Sequence, residues 1–181
     1  MIVDKEPIIE GKLYSFWYEG DDGNIYDTIM ERFYDRNWLY NFFKENSSDL
    51  KYFKIEDIEK AIDRTIDDLD AIDDLFTGDG DGLESFFMNL SHNVNEVPFQ
   101  RSKGKLGVHQ NIFRKSWVRI YALKSSDGIY FITGGAIKLT ENMDDRKHTC
   151  FELRRLDQCM NFLKSKGFCD IEGFYEFLYE Q

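Results

Sequence analysis

The chain is poor in the residues that staple or punctuate a structure. Two prolines in 181 residues leave no proline-rich linker. The three cysteines, Cys150, Cys159 and Cys169, fall late and show neither a CxxC pair nor a Cys/His ligand spacing, so no disulfide framework and no structural zinc site is expected. An odd count fits a reducing compartment. No apolar run is long enough to span a bilayer. The opening MIVDKEPIIEGK has no apolar core of secretory length, so the expected location is the cytoplasm, with no membrane partner. Neither GxGxxG nor GK[ST] surrounds Gly134–Gly135, and no GxSxG occurs, which argues against an NTP-dependent enzyme or a nucleophile-elbow hydrolase. The loop TGDGDG (77–82) fails as a calcium loop. Counted from Asp79, position five is Leu83 and position twelve is Leu90, where an acid and a glutamate are needed. No metal and no cofactor is expected.

Charge is plentiful and unevenly spread. There are 23 basic and 34 acidic side chains, a net of −11. Residues 1–100 hold nine basic and 24 acidic groups, net −15, and residues 101–181 hold 14 and ten, net +4. From Arg101 to Ser126 there are seven basic residues and no acid: Arg101, Lys103, Lys105, Arg114, Lys115, Arg119 and Lys124. An acidic chain does not wrap nucleic acid indiscriminately, but this stretch leaves room for a local anion site.

The length fits one domain over 1–181, with aromatics at 16% to supply a core. Leu13–Tyr18 reads as a strand closed by the turn residues EGDDGN. An acidic helical region follows over 27–90. Asp27 to Glu45 reads as one helix with Asp27 as N-cap, Lys54 to Phe76 as a second and clearer helix, and Leu83–Leu90 as a short third. The acidic face of the second helix reads as solvated surface. Residues 91–113 lack periodicity and are expected to be a long irregular, mobile segment. A strand-rich region spans 114–143. It contains a strand at Trp117–Leu123, the hairpin signal SSDG, and a strand at Ile129–Thr133. Ala136–Thr140 is a third strand, or a continuation of the second past a bulge at Gly134–Gly135. His148–Lys166, with Phe151, Leu153, Leu156, Met160 and Leu163 as its apolar set, and Asp170–Tyr179 read as closing helices. The expected class is α+β: an N-terminal strand and helices, then an antiparallel sheet of three to four strands with C-terminal helices, the helices on one face of the sheet.

The element order together with RKSWVRIYALKSSDGIYFITGGAIKLTENM (114–143) resembles the RelE/ParE-like toxin superfamily, in particular its HigB-like branch. Arg119 matches the strand arginine of that family, and Lys138 and Thr140 match its K-x-T exit. The second lysine and the proline usual in the exit are replaced by Leu139 and Met143. The resemblance implies a small bacterial cytoplasmic toxin of a toxin–antitoxin pair. It further implies a metal-independent mRNA endonuclease, with RNA or the ribosome as target and DNA reached only through the antitoxin.

Such cleavage needs a base for the 2′-hydroxyl, an acid for the leaving 5′-oxygen, and cations for the phosphorane. Arg119, Tyr121 and Lys138 are the catalytic candidates, with Arg114, Lys115, Thr140 and His148 as RNA-binding candidates. Arg119 and Tyr121 share one strand face by alternation, and Val118, Ile120 and Ala122 take the other. The same residues would equally suit an ordinary solvated sheet face. The alternative function is therefore a non-enzymatic protein-binding module that keeps the RelE/ParE-like fold, favoured by the net −15 of the first half.

Overall fold

The computed structural model describes residues 1–90, 98–112, 114–168 and 171–179. The helix expected over 27–45 is two helices, α1 (Ile25–Tyr34) and α2 (Arg36–Glu45). Asn24, not Asp27, caps α1, its side-chain oxygen accepting from the Asp27 amide at 3.1 Å. Asp35 has extended backbone, ends α1, and accepts from the Asn37 and Trp38 amides, so a single aspartate both stops one helix and starts the next. A short helix α3 (Ser47–Leu50) follows. The long helix α4 (Ile58–Thr77) begins later than the apolar spacing suggests, because Lys54 adopts a left-handed conformation (φ 58°) and Asp57 supplies the cap. It buries Ile62, Leu69, Ile72 and Phe76 and exposes Asp63, Asp67, Asp70 and Asp74, as its periodicity requires. Another short helix, α5 (Leu83–Phe86), comes next. The chain closes with α6 (Lys147–Ser165) and α7 (Ile171–Tyr179).

The strands are β1 (Ile2–Val3), β2 (Leu13–Trp17), β3 (Phe87–Asn89), β4 (Phe99–Gly104), β5 (Val118–Ser125) and β6 (Tyr130–Ile137). They form one six-stranded sheet in the order β1-β2-β6-β5-β4-β3. This corrects the expected antiparallel sheet of three to four strands in two ways. First, the sheet is mixed: β2 runs parallel to β6, with Leu13 opposite Tyr130, and the other pairs are antiparallel. A parallel neighbour needs a long crossover, and the helical half of the chain is that crossover. Second, β4 arises inside the segment expected to be irregular, and the short strands β1 and β3 lengthen the sheet at its edges. Residues 91–97 and 113 of that segment lie outside the described residues. Ile129–Thr133 and Ala136–Thr140 are one strand with a bulge, where the register shifts opposite Tyr121 and Ala122.

Helices cover both faces of the sheet. A Cβ on Gly134 would overlap the Glu152 carboxylate of α6, whereas a Cβ on the next residue, Gly135, would meet Ile29 of α1 at 3.0 Å. Adjacent residues of a strand point to opposite faces, so α6 and α1 sandwich β6 between them. β5 is consequently buried on both sides from Val118 to Leu123. On the α6 side, Phe174 of α7 packs edge-on against Phe131 at 5.0 Å and Tyr14 at 4.8 Å. On the α1 side, Gly104 of β4 leaves space for the Phe86 ring, which a Cβ would strike. Gly104→Ala is expected to cost about 1–3 kcal/mol by overpacking. Urea denaturation checks this, and an unchanged midpoint would show that the ring has room to move.

Candidate anion-binding end of the sheet

Arg119, Tyr121 and Leu123 alternate toward α6. Cross-strand pairing puts Lys103 on the same face, opposite Tyr121, and Ala136 opposite Arg119. The parity read from the sequence is therefore observed, but the face is not open. Arg119 is only 7% exposed and Tyr121 is fully buried. Arg119 Nη1 donates to the carbonyls of Ser116 at 3.0 Å and Val118 at 2.7 Å, which folds the guanidinium back toward the start of β5. Burial lowers its pKa, partly offset by Tyr121 and Asp68. The Tyr121 hydroxyl has no hydrogen-bond partner, and burial pushes its pKa upward, so it stays protonated.

Lys138 follows the last residue of β6 rather than lying within it. Its ammonium donates to the carbonyls of Thr140, at 2.9 Å, and Glu141. Lys105 follows β4. The Lys105 pKa is depressed by burial and then by Arg119, Lys115 and Lys103, and that of Lys138 by burial, Arg119 and Lys103. The sheet register places these side chains near one another: Lys103, Lys105, Lys115, Arg119 and Lys138 lie at the end of the sheet formed by the last residues of β4, the first of β5 and the exit of β6. Among the described residues no carboxylate forms an ion pair with any of the five. Asp68 acts on Arg119 and Asp145 on Lys138 without pairing with them, so the cations outnumber the nearby acids and the end of the sheet attracts an anion.

The other candidates separate. Arg114 turns away to α4, where its Nη2 contacts Asp68 at 2.8 Å and donates to the Arg64 carbonyl at 3.1 Å. Lys115, at the exposed margin of the cluster, lies over the Tyr52 ring at 4.3 Å and donates to its hydroxyl at 3.0 Å. The Thr140 hydroxyl donates to the Asn142 carbonyl. His148 stands in the first turn of α6, with Nε2 3.0 Å from the Ile137 carbonyl and its ring edge-on to Phe42. It belongs to a different cleft.

Three residues of interest were not among the sequence candidates. Lys103 and Lys105 lie within the acid-free run, so the charge pattern was the signal for them. Glu152 had no such signal. On α6 the helical pattern is locally inverted: Phe151, expected in the apolar set, is 50% exposed and Glu152 is 6% exposed. Burial raises the Glu152 carboxyl to about 7, against the pull of Arg155 and Arg32.

No protein-family model, no curated protein and no solved structure matches this chain. Among the described residues, no helix is long and apolar enough to cross a membrane.

Proposed function

We propose that this chain is the toxin-like component of a toxin–antitoxin pair and that it binds, and by a metal-independent route cleaves, RNA at the cationic end of the sheet. One observation carries the reading: five cations gather there, none of them in an ion pair among the described residues, in a protein whose net charge is −11. The element order of strand, helices and antiparallel meander supports it, as does the resemblance over 114–143. In this reading Arg119 and Lys138 stabilise charge on the phosphorane, and Lys103, Lys105 and Lys115 hold the flanking phosphates. Tyr121 is fully buried and in this reading supports Arg119 rather than touching RNA. The 2′-hydroxyl proton leaves to water as its oxygen bonds the phosphorus, and the departing 5′-oxygen takes a proton from the Lys105 ammonium, whose pKa burial lowers.

The test is binding and cleavage of a labelled mRNA by the purified chain, with Lys103→Ala/Lys105→Ala and Lys138→Ala beside the wild type. The double variant is expected to weaken binding and to flatten the log-affinity against log-salt slope by about two, roughly one for each phosphate no longer neutralised. Lys138→Ala is expected to cut cleavage more than binding. Intact RNA with the wild type, and no growth arrest on expression, would sink the reading.

A second reading, a non-enzymatic protein-binding module, is favoured by the complete burial of Tyr121 and by the exposed acidic face of α4. Recovery of one stable, basic partner with no RNA and no toxicity would select it.

A further inference from the structure

Beside β6, on the side away from β5, lies a cleft of about 670 Å³. The strand register explains why no part of the sheet fills it. β2 pairs with β6 only as far as Ile132, and the bulge that follows leaves Thr133 out of the ladder with β5. One extra residue reverses which main-chain groups turn outward. Before the bulge, Tyr130 gives its amide to the Lys12 carbonyl, just ahead of β2. Beyond it, Lys138 gives its amide to the Trp117 carbonyl, on the β5 side. By alternation Gly134 and Ala136 then face β5, and Gly135 and Ile137 turn their amides and carbonyls to the cleft.

Side chains serve this edge at two points. The Tyr18 hydroxyl donates to the Thr133 carbonyl at 2.8 Å, and His148 Nε2 lies 3.0 Å from the Ile137 carbonyl. The Gly135 amide, the Gly135 carbonyl and the Ile137 amide have no such partner among the described residues. All of Gly135, Ala136 and Ile137 line the cleft, and Gly135 has no side chain to screen its backbone. An unpaired strand edge is a template for one more strand.

The slot has a wall on each side. From α1 and α2, Phe33, Trp38 and Phe42 stack in succession, with centroids 5.5 Å and 5.3 Å apart. From α6 comes the exposed ring of Phe151. Four cations and two carboxylates line it. Arg146 is taken by Asp49, and Arg155 lies 3.7 Å from Glu152, which leaves Arg32 and Lys147 against Glu45. Neither Arg32 nor Lys147 has a side-chain hydrogen bond or ion pair among the described residues, so the rim favours a negative occupant.

We propose that this slot takes an extended, acidic peptide segment of a partner protein, which adds a strand to β6 at Gly135 and Ile137. Its main chain bonds the three unserved groups, an apolar side chain packs on Trp38 and Phe42, and an acidic one reaches Arg32 or Lys147. A peptide alternates donors and acceptors as a strand edge does, whereas phosphates offer acceptors alone. None of these residues belongs to the five-cation cluster, so the slot stands or falls independently of RNA cleavage.

The test is selection of displayed random heptapeptides on the full chain, followed by amide NMR of the chain with the best synthetic peptide. The enriched sequences are expected to place Asp or Glu beside apolar residues. The peptide should shift the Gly135 and Ile137 amide signals and slow their exchange with solvent. N-methylation along the peptide should abolish binding at alternate positions only. Arg32→Glu/Lys147→Glu, at two exposed side chains, should weaken binding by about tenfold or more. No enrichment, enrichment of basic sequences, equal tolerance of N-methylation at every position, or shifts at Lys103, Lys105 and Lys138 in place of Gly135 and Ile137 overturns the proposal. Oligouridylate that moves the Gly135 and Ile137 amides when the peptide does not would give the slot to RNA and overturn it too.

Discussion

Replacing Glu152 by glutamine is expected to stabilise the chain at pH 8 and to change it little at pH 5. The carboxyl is 6% exposed and its folded pKa is about 7, against 4.5 for a free glutamic acid. Between those values the folded state holds a proton that the unfolded chain releases. Stability from this group is therefore complete below about 4.5, declines as pH rises through about 7, and is gone above it. At about 1.36 kcal/mol for each pKa unit, the swing is on the order of 3 kcal/mol. The charged groups facing Glu152 do not compete in this window. Arg155 on α6 and Arg32 on α1 only pull the Glu152 carboxyl back down, Tyr18 and Tyr121 are pushed upward by burial, and the Cys159 thiol is raised to about 12. Urea denaturation of wild type and variant at pH 5 and pH 8 gives the answer as a difference. If the wild-type disadvantage is the same at both values, the carboxyl is not titrating in that window.

Asp68→Ala is expected to destabilise the fold by about 3 kcal/mol. Asp68 lies on the buried side of α4, fully inaccessible, and contacts Arg114 at 2.8 Å. Neither Asp68 oxygen has a directed hydrogen bond, so the pair is held by charge. Burial raises the Asp68 pKa, while Ser116, Arg114 and Arg64 pull it back. Arg64 in turn is stacked on Trp117 at 4.3 Å and donates to the Lys115 carbonyl, so this contact and the Asp68–Arg114 pair both tie α4 to the start of β5. Removing one partner of a buried pair typically costs 3–5 kcal/mol. The low end applies because Arg114 is about a third exposed and regains water. A double variant, Asp68→Leu with Arg114→Met, is expected to recover most of the loss, since the charges themselves add little over apolar packing. A loss under about 1 kcal/mol in the single variant would mean that the helix, not the ion pair, holds this corner.

What the sequence disclosed and what it hid follow from the range of the forces involved. Alternation along β5 and the three- and four-residue spacing of α4 are local, and both elements stand close to where those patterns put them. β4 was hidden because its residues facing α1, Ser102 and Gly104, are small: the apolar bulk beside Gly104 comes from Phe86, on another element. The parallel pairing of β2 with β6 leaves no local mark at all. At the site, Lys103 and Lys105 were written in the charge run only as a density of cations, and their meeting with Lys138, twelve residues beyond that run, left no local mark. Glu152 was invisible because a glutamate on an amphipathic helix reads as solvent-facing, and its burial depends on Gly134, many residues away and on a different element.

The pairing of Leu13 with Tyr130 also orders events in time. More than a hundred residues separate the two strands, and closing so long a loop is slow and entropically costly. While the chain is being made, β2 has no strand to lie against on the β6 side until most of the protein has left the ribosome. Until then the apolar residues of β2, among them Leu13 and Phe16, lack much of their final cover. A nascent chain stopped short of Tyr130 would carry the acidic helices and the first strand without the centre of the sheet, leaving it open to aggregation or capture. For this protein the native fold is an event of completed synthesis, and a chain truncated before β6 is expected to be cleared rather than to act.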